Sequence, residues 1–127
     1  MINHITLRVS NLEKSKFFFT RALKPLGYRL FKEDQNLAGF GTDDVEGKRD
    51  FWIINGGKKK EHSFSCLAFT ASEKKMVNNF YIAAMKAGGK DNGKPGYRIK
   101  YHMGYYAAYV LDPDGHNIEA VFDDPTK

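Results

Sequence analysis

Residues 4–27 read HITLRVSNLEKSKFFFTRALKPLG, and residues 66–89 read CLAFTASEKKMVNNFYIAAMKAGG. Laid over one another, Ile5 meets Leu67, Leu7 meets Phe69, Ser10 meets Ser72, Phe18 meets Phe80, Ala22 meets Ala84, Lys24 meets Lys86 and Gly27 meets Gly89. Self-similarity at one fixed shift through a strand-like and a helix-like segment predicts that the chain is built from two copies of one unit. In the first copy Ile5, Leu7 and Val9 alternate with His4, Thr6 and Arg8, so one face of a strand is apolar and the other polar. Ser10 and Glu13 have capping-box spacing and open a helix carrying Leu12, Phe19, Ala22, Leu23 and Leu26; Pro25 and Gly27 end it. Extended segments near 28–32, 37–41 and 51–55 complete a βαβββ unit. In the second copy Val77, Phe80, Tyr81, Ala84 and Ala87 form the helix stripe, which stops at Gly88 and Gly89.

Beyond the helices the register lengthens because the loop 94–103 exceeds its counterpart. The turn Asp44-Val45-Glu46-Gly47 then overlays Asp112-Pro113-Asp114-Gly115, each before a final strand. The fold class expected is α+β: two βαβββ modules, about 1–57 and 62–123 of a single 127-residue domain, forming a curved eight-stranded mixed sheet with helices outside and a cup inside. In this register Phe51 is the repeat partner of Glu119, so Phe51 is expected to face the cup and Trp52 the helices.

A net charge of +5 comes partly from the run Lys58, Lys59 and Lys60, which reads as a solvated turn; no aromatic interleaving or helix-turn-helix pattern points to nucleic acid. One cysteine, no signal-like start and no long apolar run imply a cytoplasmic protein that neither pairs disulfides internally nor enters a membrane.

The segments INHITLRVSNL (2–12), ALKPLGY (22–28) and YYAAYVLDPDGHNIEAV (105–121) resemble the glyoxalase, bleomycin-resistance and extradiol dioxygenase proteins, the vicinal oxygen chelate superfamily, across nearly the whole chain. The DPDG turn followed by a glutamate is the most specific part. The resemblance implies metal ligands on the first and last strands of the cup, commonly two histidines and a carboxylate. It places His4 and Glu119 at two such positions and Cys66 where the second histidine is expected, while Phe51 falls on a fourth ligand position and cannot ligate. A thiolate, an imidazole and a carboxylate are a reasonable tetrahedral zinc set and a poor one for an iron dioxygenase. A divalent metal (Zn, Ni, Mn or Fe) is expected to be weakly bound or absent in the native protein.

Glu119 sits in an otherwise apolar strand and needs a partner: Arg8 or another basic group, a metal, or a substrate proton. Cys66 reads also as a small buried hydrophobe. Tyr109 shares one strand face with Tyr105 and Ala107; the resemblance to extradiol enzymes implies that it points into the cup and donates to substrate, and it reads equally as a core tyrosine. His102 lies in a loop that could cover the cup mouth, whereas His116 and His62 read as turn residues. By resemblance, the chain is an enzyme of isomerase or lyase type acting on a small carbonyl-containing molecule, with Glu119, Tyr109 and His102 as catalytic groups and His4, Cys66 and Glu119 as metal ligands. The alternative is a metal-free protein that binds or sequesters a small molecule, and a homodimer is expected in either case.

Overall fold

The computed structural model describes residues 2–43, 49–57 and 65–127, so the turn 44–47, the lysine run 58–60, His62 and Phe64 lie outside the described residues. In chain order the elements are β1 (Ile5–Val9), α1 (Leu12–Leu23), a 3-10 turn (Lys24–Leu26), β2 (Tyr28–Glu33), β3 (Leu37–Thr42) and β4 (Phe51–Asn55). The second half repeats them as β5 (Cys66–Thr70), α2 (Lys74–Lys86), β6 (Lys90–Tyr97), β7 (Tyr105–Leu111) and β8 (Asn117–Asp123). The chain is therefore βαβββ written twice. Each module closes a four-stranded mixed sheet, β1-β4-β3-β2 and β5-β8-β7-β6, in which the first strand runs parallel to the last. Among the described residues no ladder joins β1 to β5, so the eight strands are two sheets rather than one hydrogen-bonded wall.

Helix α1 starts one residue later than Ser10 suggests. Asn11 adopts an extended conformation and its side chain accepts from the Lys14 amide at 3.1 Å, satisfying one of the orphan donors of the first turn. Ser10 is used elsewhere. Its amide and hydroxyl both donate to the Asp114 carboxylate in the turn between β7 and β8, which ties the first strand of one module to the last turn of the other. The 3-10 turn ends at Gly27, whose φ of 85° is the left-handed conformation a C-terminal cap requires.

Both modules turn their apolar faces to one shared core. Leu7 and Val9 of β1, Phe18, Phe19 and Ala22 of α1, Phe40 and Phe51, then Phe69, Val77, Phe80, Val110 and Ile118 form one contiguous cluster. Fully burying each large side chain contributes about 1.5–3 kcal/mol, an upper bound because unfolded chains are already partly collapsed. Gly89 lies at the seam: a Cβ there would stand 2.4 Å from Val110 and 2.8 Å from Phe18, so only a bare backbone lets α1 approach β7.

The pairing registers correct one expectation. Ile5 faces Phe51 across β1 and β4, and its repeat equivalent Leu67 faces Ile118 across β5 and β8. Phe51 is thus the equivalent of Ile118, and Trp52 that of Glu119. Strand side chains alternate with period two, so this one-residue slip exchanges faces. Phe51 packs edge-on to Phe19 in the core, while Trp52 lies over Gly39 on the opposite face, where a Cβ at Gly39 would come within 2.6 Å of its ring.

A second difference concerns 94–97, expected as loop and found as the end of β6. Pro95, Gly93 and Gly96 are turn signals, but β6 is an edge strand and its register shifts around both glycines. An edge tolerates a missing donor and an extra residue. Among the described residues no helix is long and apolar enough to cross a membrane.

Candidate functional site

β7 and β8 pair so that Tyr109 stands opposite Glu119, and Ala68 of β5 lies on the other side of Glu119. Ile118 and Ala120 are directed into the core, so Glu119 projects from the opposite sheet face, as Tyr105, Ala107 and Tyr109 do. It is nonetheless buried, with 5% of its surface exposed. Among the described residues its partner is neither Arg8, which is exposed and forms no salt bridge to it, nor another cation: the Tyr105 hydroxyl donates to Glu119 Oε1. A charge-assisted bond of this kind offsets part of the cost of enclosing the carboxylate. The Tyr105–Glu119 pairing was missed in the sequence, although the alternation that puts both on one face is legible there.

Tyr109 completes the group. Its hydroxyl is fully buried and makes no hydrogen bond of ordinary geometry among the described residues. Burial first, and then the nearby Glu119 charge, push the Tyr109 phenol up to about 12, with Arg98 opposing. Burial and the bond to Glu119 likewise drive Tyr105 well above the usual phenol range. Both tyrosines therefore remain protonated donors at any physiological pH.

Residues 98–104 fold over this face. The Arg98 guanidinium stands 5.2 Å from the Tyr109 ring centroid, and the rings of Tyr101 and His102 lie 4.9 and 5.2 Å from that of Tyr105. His102 Nε2 lies 3.1 Å from Asp123 Oδ1 in an exposed pair, and its Nδ1 is 2.9 Å from the Met103 carbonyl. His102 thus packs against Tyr105 on the exposed side of this face, with an acceptor near each ring nitrogen.

The other two candidate ligands stand apart. His4 is exposed, with Nδ1 2.9 Å from Asn3 Oδ1. Cys66 is exposed rather than a buried hydrophobe, because its strand parity puts it on the face opposite Leu67 and Phe69; its Sγ accepts from Asn117 Nδ2 at 3.1 Å. His4, Cys66 and Glu119 do not gather their donor atoms within 4.8 Å of one another in this chain. The donor set does not fit a metal ion as it is placed here.

Among the described residues the trio that does gather is Asp112, Asp114 and His116. Its atoms are largely committed. Asp112 Oδ1 accepts the amides of Asp114 and His116, Asp114 holds Ser10, and His116 Nδ1 accepts the Ser65 amide at 3.1 Å. This clamps the turn and both ends of the module junction. A separate cavity of about 550 Å³ opens between β1 and β5; Glu119, Tyr109 and His102 are not among its lining residues.

A sequence model described as the Glyoxalase/Bleomycin resistance protein/Dioxygenase superfamily matches residues 1–120. Among solved structures, a glyoxalase/bleomycin resistance protein from Albidiferax ferrireducens is 25% identical, with a TM-score of 0.76 over 94% of this chain and 96% of that one. A glyoxalase-related enzyme from Fulvimarina pelagi is 19% identical, with a TM-score of 0.73 over 96% of this chain and 87% of its own. A glyoxalase/bleomycin resistance protein/dioxygenase family enzyme from Burkholderia phytofirmans is 18% identical, with a TM-score of 0.72 over 96% and 98%. With two βαβββ modules and a family match across nearly its whole length, the chain belongs to the glyoxalase/bleomycin resistance protein/dioxygenase superfamily.

Proposed function

We propose that the protein is a cytoplasmic, homodimeric enzyme that moves a proton at a carbon beside the carbonyl of a small oxygenated molecule, on the β7–β8 face that carries Glu119. The observation that carries this reading is a buried carboxylate held by a phenol, with a second buried phenol beside it whose hydroxyl makes no hydrogen bond of ordinary geometry among the described residues. Glu119 is the general base. Tyr105 engages Oε1 and fixes the carboxylate, and Tyr109 donates to the carbonyl oxygen as negative charge develops there. A phenol that stays protonated up to about pH 12 suits that donor role. Residues 98–104, with His102 at the mouth, must move aside for substrate to enter and then exclude water. Every proton transfer in this reading uses the chain's own residues.

Enclosure of Glu119 beneath Arg98, Tyr101 and His102 favours a second reading, in which the same face holds a ligand without turnover. One experiment separates the two. Purified protein is incubated in D₂O with a panel of 2-hydroxy and 2-keto acids, aldehydes and thioesters, and deuterium uptake beside the carbonyl is followed by proton NMR. Catalysis predicts uptake that falls roughly 10²–10⁴-fold in Glu119→Gln, the usual range for losing a general base. Saturable binding without uptake for any member of the panel supports sequestration and overturns the catalytic reading.

A further inference from the structure

We propose that the cavity between β1 and β5 is a second small-molecule site, built for an organic ammonium with an apolar body. Its volume of about 550 Å³ lies within the usual range for small-ligand pockets. It is made where the modules meet, and neither contributes a complete wall. Among the described residues that line it, Asp50, just before β4, is the only ionisable carboxylate or base. Asp50 is only partly buried, and its Oδ1, enclosed in this conformation, accepts no hydrogen bond among the described residues, so a cation in the cavity must draw the carboxylate toward it. Such a group is costly unless a donor or a cation reaches it.

The remaining lining says which donor suits. Phe69 packs edge-on against both Tyr28 and Phe51, at centroid separations of 5.2 and 5.4 Å, so three aromatic rings border the carboxylate's cavity. Leu26 and Met76 add apolar surface. Aromatic rings beside a lone carboxylate attract an ammonium through both the ring quadrupole and direct charge, whereas an anion meets only repulsion. The chain's overall charge of +5 opposes cations at long range, but salt screens that field beyond about 8 Å, leaving the local pairing to decide. Glu119, Tyr105 and Tyr109 do not line the cavity, although Ala68, which pairs with Glu119, does; the inference does not depend on the catalytic reading.

Three probes of one shape test it: phenethylammonium, 2-phenylethanol and phenylacetate, titrated into the protein by calorimetry and by amide chemical-shift mapping. The expected order is ammonium over alcohol over carboxylate, with shifts centred on Tyr28, Phe69 and Thr70. Asp50→Asn should weaken phenethylammonium about tenfold while leaving the alcohol unchanged, because a charge-assisted bond is roughly twice as strong as a neutral one. Thr70→Phe, at an exposed position that lines the cavity, should fill it and block all three probes without touching the core. Equal affinities for the three probes, an Asp50→Asn protein that binds ammonium as well as wild type, or shifts confined to Tyr105, Tyr109 and Glu119 would each overturn the proposal.

Discussion

Two tyrosines four residues apart on one strand do different work beside Glu119. Tyr105 satisfies a buried carboxylate, so Tyr105→Phe leaves that carboxylate without its donor and should cost about 1–3 kcal/mol. Tyr109→Phe removes a hydroxyl that makes no hydrogen bond of ordinary geometry among the described residues, and its stability should stay within about 0.5 kcal/mol of wild type or rise. Urea denaturation of the two variants side by side checks the contrast. If Tyr109→Phe is the more destabilised, its hydroxyl is structurally bonded and the donor role assigned to it fails. The Tyr105, Tyr109 and Glu119 alternation was legible in the sequence because period two survives in an antiparallel pair. The Trp52 and Phe51 faces were not, since they depended on a register carried across a turn, and one residue of error inverts a strand. Glu119 as a buried group was legible too; its partner was not, because a pairing between two adjacent strands has no fixed sequence spacing.

The turn between β7 and β8 couples geometry to pH. Asp112 accepts two amides through Oδ1, which closes the turn, while Oδ2 is enclosed with no partner among the described residues. Burial is the main reason the Asp112 carboxyl is raised to about 6, aided by Asp114 and opposed by the His116 amide and ring. A carboxyl raised on folding binds more protons in the native state than in the unfolded one between about pH 4 and 6, so its contribution to stability falls as pH rises through that window. The swing is on the order of 2–3 kcal/mol, taking 1.36 kcal/mol per pKa unit. Asp112→Asn keeps an acceptor for both amides and cannot ionise. Unfolding free energies at pH 4.5 and 7 should therefore show a smaller loss, or a larger gain, across the interval in the variant than in wild type; parallel profiles would mean that Asp112 ionises normally. The DPDG turn was visible in the sequence, but its ties, to Ser10 across the modules and to Ser65 within the second, became visible only when the strands were placed.

At the scale of the molecule, the duplicated pattern foretold the two modules and their four strands each, but not that no ladder among the described residues would join the two sheets. The consequence is that β1 and β5, equivalent by the repeat, are both edge strands, each paired on one side only among the described residues. An unpaired edge is a template for another chain, and natural proteins cover or blunt it. Neither edge is blunted by proline, and Ile5 in β1 is 36% exposed. Above the Glu119 face, Ile99, Tyr101 and Met103 leave more than half of their surfaces exposed on a single short loop. A two-fold dimer would cover both features with one self-complementary surface, and about 800 Å² per chain is the usual requirement, roughly a tenth of the 7909 Å² available. The opposing +5 charges are largely screened at physiological salt. Sedimentation equilibrium should then return twice the 14.5 kDa chain mass at micromolar concentration. Replacing both Ile99 and Met103 with lysine should shift the protein to monomer without unfolding it, since both side chains already lie in solvent. A wild-type mass that stays at one chain across the micromolar range would leave the edges and the loop uncovered, and the dimer would have to be abandoned.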